Sequence, residues 1–158
     1  MKSLLVKILG IILVAGAVVY GVVVLYNDEM NSKEFEAIQS EVLNEVTIEN
    51  VKYIDEKEFQ QIIHEMSHQK VHADTKWGHL EITPERIDYL IAVLSIYGEE
   101  YENKELYQGI LLDWKKGDFS NAVEAHNSIW RLQNGNIGKA TRLLTPEEEQ
   151  EYIEKHFR

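Results

Sequence analysis

A chain of 158 residues has room for one short anchoring segment and one small domain. It carries no cysteine, which excludes disulfides, thiolate metal sites and thiol nucleophiles. The formal net charge is −11, and removing Lys2 and Lys7, the only charges before Asp28, leaves 14 basic against 27 acidic residues. That balance argues against nucleic-acid backbones and anionic lipid surfaces as partners.

Residues 8–26 contain no charged side chain. Nineteen helical residues cover roughly 28 Å, enough to cross the hydrocarbon core of a bilayer. Lysines on one flank, with Asp28 and Glu29 on the other, predict a single-pass protein with a cytoplasmic N-terminus and an extracytoplasmic C-terminal domain. A signal peptide cleaved after Ala17 is the competing reading, since Ala15-Gly16-Ala17 has the small-x-small form. The apolar run continues nine residues past Ala17, which favours an uncleaved signal anchor. The expected organisation is a transmembrane helix over 1–26, a juxtamembrane stalk over 27–54 and an extracytoplasmic helical domain over 55–158.

In the stalk, Asn31 with Glu34 can cap a helix, and Phe35, Ile38, Val42 and Val46 form one narrow apolar stripe. Residues 47–54 are the one candidate strand. Asp55 with Glu58 then opens a helix in which Phe59, Ile62, Ile63 and Met66 share a face, with His64, His68 and His72 opposite. After a loop holding Trp77, Gly78 and His79, Thr83-Pro84 is a cap followed by a first-turn proline. The run that follows, residues 89–98, has no charge and reads as the central buried helix. Leu106, Tyr107, Ile110, Leu111 and Trp114 line another helix, stopped by Gly117. Asp118 or Ser120 caps the next, with Phe119, Val123, His126 and Trp130 on one face. Thr145-Pro146-Glu147-Glu148 is a proline-led capping box for a terminal helix. The class is all-α: a transmembrane helix, a short stalk and a small bundle of four to five helices.

His64-Glu65-Met66-Ser67-His68 matches H-E-x-x-H. In zinc hydrolases the two histidines reach one metal from a single helix face, and the glutamate acts as general base on metal-bound water. Composition alone yields roughly 0.03 such matches in a chain of this make-up, so the motif earns a hypothesis. A third protein ligand is needed. His72 lies about 12 Å along the helix from His64, too far to serve. Glu85, Glu99 and Glu100 are acidic candidates, with nothing to single one out. A polar histidine face, solvated or beneath a loop, is the plainer reading, and His126 among Phe119, Val123 and Trp130 reads as a hydrogen-bonded core histidine. Protonating all six histidines would move the net charge from −11 to −5, which by itself makes no switch. The segment Gly135–Thr141 fails the phosphate-loop spacing and reads as a glycine-rich helix connection.

The segments H-E-M-S-H-Q-K-V, K-W-G, T-P-E-R-I, D-W-K-K-G-D-F-S-N-A, H-N-S-I-W-R-L-Q, G-K-A-T and P-E-E-E-Q together resemble an uncharacterised family of small, N-terminally anchored bacterial proteins. The resemblance covers roughly 55–152. It implies a domain of unknown function from Gram-positive bacteria, with no activity or site residues to carry over. The leading expectation is a non-catalytic binding module of the cell envelope, without cofactor, held in the bilayer through residues 8–26. Its partner would be another envelope protein or a second copy of the chain. The alternative is a zinc-dependent hydrolase with His64 and His68 as ligands and Glu65 as general base.

Overall fold

The computed structural model describes the backbone of residues 2–158 and the side chains of residues 17–158, most of them helical. Helix α1 runs Lys2–Glu45, followed by a short 3₁₀ turn, Ile48–Asn50. The remaining elements are α2 (Glu56–Ser67), β1 (Val71–His72), α3 (Pro84–Tyr97), α4 (Lys104–Lys115), α5 (Ala122–Leu132), β2 (Arg142–Leu143) and α6 (Pro146–Phe157). The chain forms two compact units, Met1–Ala37 and Ile38–Arg158.

The first unit is helical, and its side chains from Val18 to Tyr26 are mostly exposed although nearly all are apolar: Val19 is 63% and Leu25 70% accessible. Among the described residues no helix is long and apolar enough to cross a membrane. The predicted span over 8–26 falls partly on residues 8–16, whose side chains lie outside those described.

In the second unit local chemistry fixes where helices begin. The Asp55 side chain accepts from the Glu58 backbone N–H at 2.8 Å, and the Thr83 hydroxyl from that of Arg86 at 3.2 Å. At α6 both halves of the capping box are made: Thr145 Oγ1 accepts from the Glu148 N–H, and the Glu148 carboxylate accepts from the Thr145 N–H. Helix α3 supplies the centre of the core, as its charge-free run predicts. Leu90, Ile91, Ala92 and Val93 are fully buried and Leu94 nearly so. Tyr107, Leu111 and Trp114 of α4 and Phe59, Ile63 and Met66 of α2 join them in the buried set.

Three local expectations are corrected. Residues 47–54 form the 3₁₀ turn and an extended connection, not a strand, because among the described residues no partner strand lies beside them. Helix α2 stops at Ser67, so His72 is not on its face but in β1. Two turns, Gln69 N–H to the Met66 carbonyl and Lys70 N–H to that of Ser67, end the helix and swing the chain away. Helix α5 starts at Ala122 with Asn121 as its cap, while the Asp118 carboxylate instead accepts from the Ser120 N–H in the turn before it.

The sheet is a two-residue antiparallel ribbon pairing Val71 with Leu143 and His72 with Arg142. Small as it is, it fixes where the loops go. Val71 is buried with Ala122 and Ala140, and Phe119 and Val123 pack against them. The ribbon therefore brings the loop after β1 (73–83) alongside the loop before β2 (133–141), over the junction of α2 and α5.

Candidate metal centre

His64 lies in the last turn of α2, and His68 is its C-cap, still with helical dihedrals, so the pair keeps its one-turn spacing. His126 comes from the middle of α5. The three rings converge, with centroids 4.4 Å apart for His64–His126, 5.0 Å for His64–His68 and 5.3 Å for His68–His126. Each offers a nitrogen within 4.8 Å of the others', and among the described residues this is the one cluster of three or more His, Asp or Glu so placed. Of the two alternatives for the histidine face, solvated or beneath a loop, His64 and His68 take the second: His68 is 2% accessible under the Gly78 loop and His64 is half-buried, with His126 1% accessible beside them. His126 is a hydrogen-bonded core histidine as predicted, but it also stands where a third ligand is needed.

Hydrogen bonds fix the rings. His64 Nδ1 is 2.6 Å from Gln133 Oε1, and His68 Nδ1 is 2.8 Å from the Gly78 carbonyl oxygen. Both oxygens only accept, so each Nδ1 carries the proton and each Nε2 is left with its lone pair. Neither Nε2 has a hydrogen-bond partner among the described residues. His126 has Nδ1 2.9 Å from Ser67 Oγ and Nε2 3.0 Å from the Gly138 carbonyl oxygen, while Ser67 Oγ also lies 2.5 Å from the His64 carbonyl. A neutral ring has one N–H and a serine one O–H, so these contacts cannot all be hydrogen bonds at once. If Nδ1 donates to Ser67 and Ser67 donates to the His64 carbonyl, the Nε2 lone pair faces the Gly138 oxygen. In that state all three rings hold an Nδ1–H on an oxygen and leave Nε2 without a proton, the protonation that metal-binding histidines have.

Two left-handed glycines supply the carbonyls. Gly78 has φ +80°, and a Cβ there would overlap the Glu65 carboxylate. Gly138 has φ +82°, and a Cβ would come within 2.5 Å of the Thr75 carbonyl oxygen. Glycine takes this backbone without strain, at Gly138 the close neighbour is backbone that cannot give way, and each presents its carbonyl to a ring of the cluster.

Burial pushes the His68 imidazole down to about 3 and that of His126 to about 4, and it lowers His64 as well, so the rings are neutral and able to bind metal at neutral pH. Lys76, pushed down to about 8 by burial, donates to the His68 backbone carbonyl at 2.8 Å and lies over the Tyr152 ring. An open cleft of about 90 Å³ runs up to His64 and His68, walled by Gln61, Thr75, Trp77, Gln133, Ile137 and Gly138. Three imidazole nitrogens suit zinc and other late first-row divalent ions, and three protein ligands with open access is the pattern of catalytic zinc sites.

Glu65, the predicted general base, adjoins this cluster: its Oε1 accepts from Gln61 Nε2 at 2.7 Å and its side chain lies against Gly78. The other histidines of the same stretch are elsewhere. His72 contacts Thr141 Oγ1 at 3.2 Å on the ribbon, and His79 is hydrogen-bonded to Tyr152 and stacked on His156 at 3.7 Å. Glu85, Glu99 and Glu100, the acidic candidates for a third ligand, are not part of the cluster.

These features describe a small helical domain with a buried three-histidine cluster opening on a cleft. The chain belongs to a family of unknown function, DUF6241, which it matches over residues 63–154, more than half its length and all of the cluster. No curated protein and no solved structure matches it.

Proposed function

We propose that this chain is a membrane-tethered, metal-dependent hydrolase in which His64, His68 and His126 hold a zinc-class ion and Glu65 is the general base. The observation that carries the reading is the pair of Nε2 lone pairs on His64 and His68, each left without a protein partner beside the cleft, with a third imidazole alongside. A bound divalent ion would supply Lewis acidity and an activated water at neutral pH. One Glu65 oxygen is held by Gln61, which leaves the other free to take a proton. The tether is residues 8–26: the segment is free of charge, and its side chains from Val18 to Tyr26 are largely exposed in the folded unit. In this reading the helical domain faces away from the cytoplasm.

The test is made on the full chain in detergent micelles. Metal analysis is expected to find about one zinc per chain, and a chelator to lower the melting temperature. Glu65→Gln should keep the metal but lose hydrolysis of a generic ester such as p-nitrophenyl acetate. A chain that takes up no zinc and melts identically with chelator would end this reading.

A second reading is favoured by one observation: among the described residues no side-chain nitrogen or oxygen shut off from solvent lacks a hydrogen-bond partner, so the two unpaired Nε2 atoms reach the cleft and need no metal to satisfy them. The cluster would then be a polar core, and the domain a non-catalytic envelope module that binds another envelope protein or its own copy.

A further inference from the structure

We infer that Gln133 and Gln61 are positioning residues, which fix His64 in the tautomer that frees Nε2 for the metal and couple that choice to the Glu65 carboxylate. The inference rests on the metal reading above for its purpose, but its geometry stands alone. From His64 Nδ1 the chain of contacts runs 2.6 Å to Gln133 Oε1, then from Gln133 Nε2 3.3 Å to Gln61 Oε1, then from Gln61 Nε2 2.7 Å to Glu65 Oε1.

A primary amide donates at one end and accepts at the other, so a row of amides has a direction. Here the carboxylate sets it. If Gln61 were flipped, its oxygen would face a carboxylate oxygen, two acceptors with no proton between them. With Gln61 Nε2 turned to Glu65, its oxygen turns to Gln133. That oxygen draws the Gln133 NH₂ group toward it and leaves the Gln133 oxygen facing His64. His64 Nδ1 must then carry the proton, and a neutral imidazole with hydrogen on Nδ1 has its lone pair on Nε2. The amide orientations, ambiguous on shape alone, are decided by the network.

Two elements build the row. Gln61 and Glu65 lie one turn apart on the same side of α2, and Gln133 is the C-cap of α5. The Gln133–Gln61 link is the longest and is exposed, so water competes for it, whereas Gln133–His64 is short and part-buried. Gln133 therefore has the larger effect on the ring and Gln61 the smaller.

The experiment uses the full chain in detergent micelles, ¹⁵N-labelled and metal-free, with long-range proton–nitrogen spectra of the histidines, followed by titration with zinc. His64 is expected with its proton on Nδ1. Gln133→Leu should abolish that preference and weaken zinc binding about 10- to 100-fold. Gln133→Glu keeps an acceptor for Nδ1–H and should restore both the tautomer and most of the affinity, which a role in packing alone would not do. Gln61→Leu should weaken zinc binding less than Gln133→Leu. A wild-type His64 protonated on Nε2, a Gln133→Leu protein with unchanged tautomer, or a Gln133→Glu protein that behaves like Gln133→Leu would each overturn the proposal. Should the wild type bind no zinc, the metal reading fails, while the metal-free spectra still decide whether the amides set the ring.

Discussion

At the N-terminal end of α2 the Glu56 carboxylate accepts from the Tyr107 hydroxyl at 2.6 Å, the Asn103 side-chain amide at 2.9 Å, and the backbone N–H groups of Glu102 and Asn103 at 2.8 and 3.0 Å. Gln60 completes the set by donating to the same Tyr107 oxygen at 2.8 Å. At the C-terminal end of the same helix three imidazoles meet, and two of their nitrogens have no protein partner beside an open cleft. Both clusters join α2 to a second helix through polar groups. Only the second has unused coordinating capacity, and that residue of unspent chemistry is what separates a structural polar network from a candidate site.

The comparison breaks most visibly with metal. If the C-terminal cluster is a site, zinc at about a thousand times its dissociation constant should add about 4 kcal/mol of stability. His126→Ala should remove that zinc-dependent increment whatever it does to the metal-free protein. Melting curves with zinc and with chelator, run on both proteins, measure it. Equal zinc responses in the two would mean that the metal sits elsewhere.

The N-terminal cluster should behave in the opposite way. Glu56→Ala strands the Tyr107 hydroxyl and the Glu102 and Asn103 N–H groups, at a cost of about 1–3 kcal/mol. Tyr107→Phe should cost less, because Glu56 retains its other donors. Denaturant midpoints report both losses. Zinc affinity should be unchanged in either variant, and a loss of zinc binding on Glu56→Ala would show that the two ends of α2 are not independent.

How far this contrast was legible in the sequence depends on the range over which each interaction acts. Caps are local: Asp55–Glu58, Thr83-Pro84 and Thr145–Glu148 declare themselves within four residues, and all three helix starts hold. The central helix was equally plain, since a charge-free run between capped ends has to be buried. The end of α2 was not, because neither glycine nor proline marks Ser67 and the helical period simply ran on to His72. A ribbon of two residues per strand is too short to leave a period of its own. The third imidazole is 58 residues from His68 in sequence and is placed by the packing of α5 against α2, which no spacing rule reaches. In the sequence Gly78 reads only as part of a loop and Gly138 only as part of a glycine-rich connection, and neither is tied to a ring. Both adopt left-handed backbone and set a carbonyl oxygen beside a ring of the cluster.

Acid separates the two ends by a smaller margin, through the metal-free protein's own titration. Burial holds His68 at about 3 and His126 at about 4, while in the unfolded chain both return to about 6.5. Below pH ~6.5 the unfolded state therefore binds more protons than the folded state, so stability is full above that pH and falls as pH drops toward the folded values. By pH ~5.5 each ring should have cost about 1.4 kcal/mol. Glu56 follows the same sign in a different window. Burial raises its carboxyl, but the hydrogen bonds from Tyr107, Asn103 and the two backbone N–H groups outweigh this and hold it low, so its contribution is lost only as pH falls below about 4.3. Chemical denaturation between pH 7 and 5 thus reads the lowered histidines, the three of the cluster together with His79 and His156, and not Glu56. His126→Gln should reduce the slope there by less than half, since His64, His68, His79 and His156 still contribute, and Glu56→Gln should leave it as it is. A wild-type protein whose stability is flat from pH 7 to 5 would mean that its rings already exchange protons with solvent, and the buried cluster would lose its distinction from an ordinary histidine-bearing surface.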